Sequence, residues 1–117
     1  MNRQAIVLPA AADEPVAVKV GPEGIECGPI GPAVDRARDE GLRLIVLAAT
    51  SHAAEDFAWT RGLPARRVIY GTPQSVRGWT NPDVVVLPGW HERRDAERTW
   101  AALLPCFVTR LRKESAR

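Results

Sequence analysis

Three short apolar runs constrain this chain more than any other feature: LRLIVLAA at 42–49, RRVIY at 66–70 and DVVVLP at 83–88. The first and third are apolar at consecutive positions instead of alternating, the pattern of strands buried on both faces. AAEDFAWTRGL lies between the first two and reads as a helix, with Glu55 and Asp56 in its first turn, Ser51 as its cap and Gly62 near its end. In GTPQSVRGW, between the second and third, Thr72 caps, Pro73 takes the first helical position and Gly78 ends a single turn. Strands joined by crossovers of this kind run parallel.

The flanking segments complete the outline. QAIVLP (4–9) and VAVKV (16–20) read as strands, GPEG (21–24) as a turn, and IEC as a third short strand closing an antiparallel hairpin. Pro32 opens a helix that runs to Glu40, with Val34 and Ala37 inward and Gly41 as its terminator. Residues 92–104 form the last clear helix, with Ala96, Trp100, Leu103 and Leu104 at helical spacing opposite Arg94, Glu97 and Arg98. Beyond Pro105 the pattern fits either an edge strand or a kinked continuation of that helix. The expectation is one α/β domain with a mostly parallel, Rossmann-like or flavodoxin-like sheet, in which residues 1–31 form an N-terminal β element and residues 32–117 the β/α core.

Composition narrows the function. A hydrophobic content of 45% and a charged content of 26% belong to a folding chain. The net charge of +2, with no dominant basic block, argues against nucleic acid as partner. Arginine is abundant throughout, so it carries functional weight only by local placement. No segment approaches the ~18 apolar residues of a membrane span, and MNRQAIVLPAAADEP is not patterned as a signal peptide, so a cytoplasmic protein is expected. Cys27 and Cys106 stand far apart with no partner at metal spacing and are read as reduced, buried thiols.

Parallel strands place their carboxyl ends on one edge, where open α/β sheets bind ligands. Onto that edge fall Thr50, Ser51 and His52; Gly71, Thr72, Gln74 and Ser75; and Gly89, Trp90 and His91. Thr50, Thr72 and Gln74 are candidate hydrogen-bond donors and Trp90 a stacking surface, balanced against its closing one end of the core. Arg93 or Arg94 are placed to meet an anion, as Arg66, Arg67 and Arg77 are in neighbouring loops.

Other constellations are weaker. Gly24, Gly28 and Gly31 resemble a phosphate loop only superficially, since Pro29 and Pro32 remove two backbone donors and no Lys-Ser/Thr pair follows. HERRD (91–95) begins like HExxH but lacks the second His, so no metal site and no cofactor are assigned. Ser51 and His52 are neighbours in sequence and point apart, which does not make a nucleophile and its base.

At DVVVLPGWHERRDAERT the chain resembles the strand-loop-helix of nucleoside 2-deoxyribosyltransferase-like proteins. Leu87-Pro88-Gly89-Trp90 and Ala96 match in type and spacing. Arg93 stands where that family's loop Ser is, Asp95 replaces a small Gly, and Thr99 occupies the place of the helical Glu expected to act as nucleophile. The resemblance implies a flavodoxin-like fold and a nucleotide-sized pocket, with N-glycosidic transfer as the family's activity. In style the chain also looks like small α/β proteins of actinobacteria and their phages, which assigns no function.

Three functions follow. The first is non-catalytic binding of a small anionic or nucleotide-like ligand by Thr50, His52, Thr72, Gln74, Trp90, His91, Arg93 and Arg94. The second is protein interaction or self-assembly as a homo-oligomer, through the hairpin edge or the loop residues Trp79 and Trp90. The third, glycosidic transfer, needs a carboxylate facing the pocket, for which Glu92 and Asp95 are the candidates.

Overall fold

The computed structural model describes residues 8–11, 13–21 and 24–115, with side chains described as far as Phe107 apart from residues 20 and 21. The elements are β1 (Val16–Gly21), β2 (Gly24–Gly28), α1 (Gly31–Asp39), β3 (Leu44–Leu47), α2 (Ser51–Thr60), β4 (Val68–Tyr70), β5 (Asp83–Val86) and α3 (Ala96–Ser115). Single 3-10 turns precede β4 at Ala65–Arg67 and α3 at Trp90–Glu92.

The five strands form one mixed sheet in the order β2-β1-β5-β3-β4. β3 pairs in parallel with β4 on one side and with β5 on the other, while β1 is antiparallel to both β5 and β2. Half the pairings are therefore antiparallel, because the N-terminal hairpin joins the flank of β5 and extends the sheet. The strand expected over residues 4–9 lies mostly outside the described residues, and Leu8 and Pro9 are irregular.

Alternation along the central strands sorts two cores. Leu44, Val46, Val85 and Leu87 face α1 and α2, meeting Val34, Ala37, Ala54 and Phe57. Ile45, Leu47, Val84 and Val86 face the other way, against Val76, Trp90, Trp100 and Leu103. Consecutive apolar residues in β3 and β5 are thus explained: both faces are covered, and residues 44–48 are wholly buried.

Several boundaries differ from expectation. Thr50, not Ser51, caps α2: its side chain accepts a hydrogen bond from Ala53 N at 3.1 Å, and Ser51 is the first helical residue. Glu55 and Asp56 consequently fall in the second turn. α3 begins at Ala96, because Arg93 is in extended conformation and separates the 3-10 turn from the helix. It then runs through Pro105 to Ser115, so the stretch after the proline is helix and not strand. Proline removes one intrahelical hydrogen bond, but continuing the helix keeps Cys106 and Phe107 buried on the face that carries Trp100 and Leu103. Cys106 is buried as expected, whereas Cys27 is exposed on β2. No helix among the described residues is long and apolar enough to cross a membrane.

Candidate functional site

The carboxyl ends of β3, β4 and β5 meet at Ala48, Gly71 and Leu87. β5 leaves the sheet through Pro88 and Gly89, whose φ of 90° is available to glycine at little cost. That reversal brings Arg93 back over the strand ends. Its Nη1 donates to the carbonyl oxygens of Ala48 at 3.1 Å and Gly71 at 2.8 Å. Its Nε and Nη2 donate to the two carboxylate oxygens of Asp95 at 2.8 and 2.9 Å. The guanidinium carbon also stands 4.9 Å from the centroid of the Tyr70 ring. Only 10% of the Arg93 side chain is exposed. The Arg93 hydrogen bonds hold the Asp95 carboxyl below the usual carboxylate range.

The cation expected to meet a ligand's negative charge is therefore satisfied by the protein's own carboxylate and carbonyls. Trp90 is likewise unavailable: it is 0% exposed, and its indole Nε1 donates to the Pro9 carbonyl oxygen at 2.6 Å. It closes the core and offers no face for stacking. Thr72 and Ser75 cap each other, Thr72 N donating to Ser75 Oγ at 2.8 Å and Ser75 N to Thr72 Oγ1 at 3.0 Å, while Ser75 Oγ donates to the Tyr70 carbonyl oxygen at 2.7 Å.

The remaining predicted residues are surface groups. Thr50, His52, Gln74, His91, Glu92 and Arg94 are exposed. His52 Nε2 lies 3.5 Å from Asp56 Oδ2, an ion pair when the imidazole is protonated. Among the described residues no cluster of His, Cys, Asp or Glu is arranged to hold a metal ion. Thr99, at the position of the family's nucleophile in the resemblance above, is wholly buried, and its Oγ1 has no hydrogen-bond partner among the described residues.

The surface opens elsewhere. A groove of about 750 Å³ lies between residues 73–80 and α3, with Gln74, Arg77, Trp79, Thr80 and Arg98 among its walls. Neither Arg77 nor Arg98 is within ion-pair distance of a carboxylate among the described residues; Arg98 acts on Asp95 only at longer range. Trp79 is fixed by its Nε1 donating to Ser75 O at 2.8 Å, with Arg43 over its ring at 6.0 Å. A second groove, of about 460 Å³, lies between α2 and β4, lined by Ser51, Glu55, Asp56, Trp59, Leu63 and Tyr70 among others. Trp59 is 86% exposed.

Sequence reasoning named Gln74 and Arg77 but left Arg98 as a solvated helix residue and did not single out Trp59. The signal for Trp59 was present: Ala54, Phe57 and Ala58 define the inward face of α2, and residue 59 lies off that face beside Glu55 at i,i+4. Joining Arg98 to Arg77 required knowing that α3 packs beside the 73–78 turn, which no local pattern states.

Compared with known proteins, the chain matches no family model, no curated protein and no solved structure.

Proposed function

We propose that the protein is a non-catalytic binder of a small anionic, nucleotide-like ligand, and that the ligand occupies the groove between residues 73–80 and α3. In this reading β4-β3-β5 is a Rossmann-like core whose usual crest is closed by Arg93, displacing the site to the neighbouring groove. The observation that carries the proposal is the pair Arg77 and Arg98, one from the 73–80 segment and one from α3, in a groove in which no carboxylate lines the walls among the described residues. Guanidinium groups without a carboxylate partner suit phosphate oxygens, to which they donate in parallel pairs. Gln74 adds an amide and Trp79 an aromatic edge. The volume of about 750 Å³ is within the range of small-molecule sites.

Glycosidic transfer has less support. Asp95 is engaged by Arg93 and Glu92 is not among the residues lining this groove. The buried Thr99 offers a hydroxyl where the resembling family has its Glu. A cytoplasmic setting accords with the two unpaired thiols.

The test is a thermal-shift and calorimetric titration with ADP, pyrophosphate and adenosine, on wild type and on the Arg77→Ala/Arg98→Ala double variant. ADP and pyrophosphate are expected to raise Tm, because ligand binding to the native state adds to stability, and the double variant is expected to lose the effect. No shift with either anion, or a shift that persists in the double variant, overturns the assignment.

A further inference from the structure

The groove between α2 and β4 has a different chemistry from the arginine-lined one. Its floor is apolar, built from Ala54, Ala58, Leu63 and Val68, and Glu55 and Asp56 stand in its wall with no basic residue lining it among the described residues. Trp59, almost wholly exposed, is another of its lining residues. An exposed tryptophan beside a concave apolar surface is the kind of group that anchors protein contacts.

The free edge of β4 does not invite an added strand. Gly71 N donates to Val46 O, so the backbone groups of residues 69 and 71 face β3 and those of Val68 and Tyr70 face outward. Val68 N already donates to Ala65 O, and Tyr70 O accepts from Ser75 Oγ. With half of those outward groups engaged, an occupant is held by side chains, as a helix laid in a groove is.

This chain contains a segment of complementary chemistry. The Cys106 carbonyl accepts from Asn81 N at 3.3 Å, which sets that point of α3 level with the start of β5. The helix continues through Ser115, about 13 Å further at the rise of an α-helix. The sequence of those turns, VTRLRKES, combines Val108 and Leu111 with Arg110, Arg112 and Lys113. We propose that the α2/β4 groove receives the end of α3 from a second copy of the chain, its apolar residues meeting the floor and Trp59 and its basic residues meeting Glu55 and Asp56. Reciprocal exchange about a two-fold axis gives a closed dimer.

The experiment is light scattering coupled to size exclusion, across a range of concentrations, on the full chain and three variants. Trp59→Ala removes a side chain that contributes little to the core. Glu55→Lys/Asp56→Lys and Arg110→Glu/Arg112→Glu/Lys113→Glu reverse the two complementary charges. Wild type is expected to dimerise as concentration rises, and each variant alone to remain monomeric. Mixing the two charge-reversed variants is expected to restore dimers, which a merely misfolded variant does not do; circular dichroism checks that each is folded. A wild type that stays monomeric throughout, a dimer unaffected by Trp59→Ala and by both reversals, or a folded charge-swapped pair that fails to associate overturns the proposal. Failure here leaves the arginine-lined groove untouched, since none of these residues lines it.

Discussion

Arg93 and Asp95, two residues apart, form a bidentate ion pair at 2.8 and 2.9 Å while the same guanidinium holds the carbonyls that end β3 and β4. One side chain from the turn after β5 thereby ties together the carboxyl ends of all three parallel strands. It also occupies the crevice that open α/β sheets leave for ligands.

Replacing Arg93 by Ala leaves a carboxylate and two carbonyls without their donor, so a loss of about 2–4 kcal/mol is expected. Arg93→Lys keeps the charge but not the fork, and recovers only part of it. Urea unfolding measures both; a midpoint unchanged in Arg93→Ala means that solvent satisfies these groups without help.

Asp95 gives acid sensitivity of a definite sign. Its carboxyl is held below the ordinary range chiefly by the hydrogen bonds from Arg93. The unfolded chain therefore takes up this proton at higher pH than the folded one does. The contribution is complete above the unfolded carboxylate pKa of about 4 and is lost as pH falls through the folded value. The difference in unfolding free energy between wild type and Asp95→Asn should shrink on going from pH 7 to pH 3. A difference that is constant over that interval contradicts the linkage.

Thr99→Val should be neutral or stabilising, by up to about 1 kcal/mol. The Thr99 hydroxyl is buried without a partner among the described residues, and exchanging it for a methyl of similar shape removes a desolvation cost. Both residues are β-branched, so helix propensity changes little. Thermal unfolding decides it: a clear drop in Tm indicates that the hydroxyl has a role that its burial does not reveal.

The tryptophans should separate by fluorescence. Trp90 and Trp100 are buried and Trp59 is 86% exposed. Acrylamide should quench a red-shifted component that Trp59→Phe largely removes, leaving blue-shifted, poorly quenched emission. Trp90→Phe, by contrast, deprives the Pro9 carbonyl of its donor and should cost about 1–3 kcal/mol. Equal quenching of wild type and Trp59→Phe contradicts the assigned exposures.

Much of the architecture was legible locally. The continuous apolar runs of β3 and β5 announced burial on both faces, and Val34 and Ala37 announced the inward face of α1. Gly41, with φ 76°, and Gly78, with φ 85°, stand where the pattern put chain reversals. Less of the site was legible. Thr50 and Ser51 are both good caps by residue type, and only the backbone angle chooses between them. Trp90 read equally as a stacking surface or as a plug for one end of the core, and the fold decides for the core; Arg93 in a charged run read as available to an anion or to solvent, yet it folds back onto the strand ends.

What the sequence by itself determined is the N-terminal hairpin, the order of the helices and strands that follow it and the parallel core, because those depend on periodicity, caps and breakers that act within a few residues of one another. What only the tertiary structure decided is which polar groups remain available. Arg93 is consumed because Ala48 and Gly71 present their carbonyls to it from the ends of two other strands while Asp95, two residues further on, pairs with it, and Arg98 lines one groove with Arg77 because α3 packs beside the 73–78 turn. Availability depends on who stands nearby in space, and proximity between residues far apart in the chain is set by packing the whole sheet.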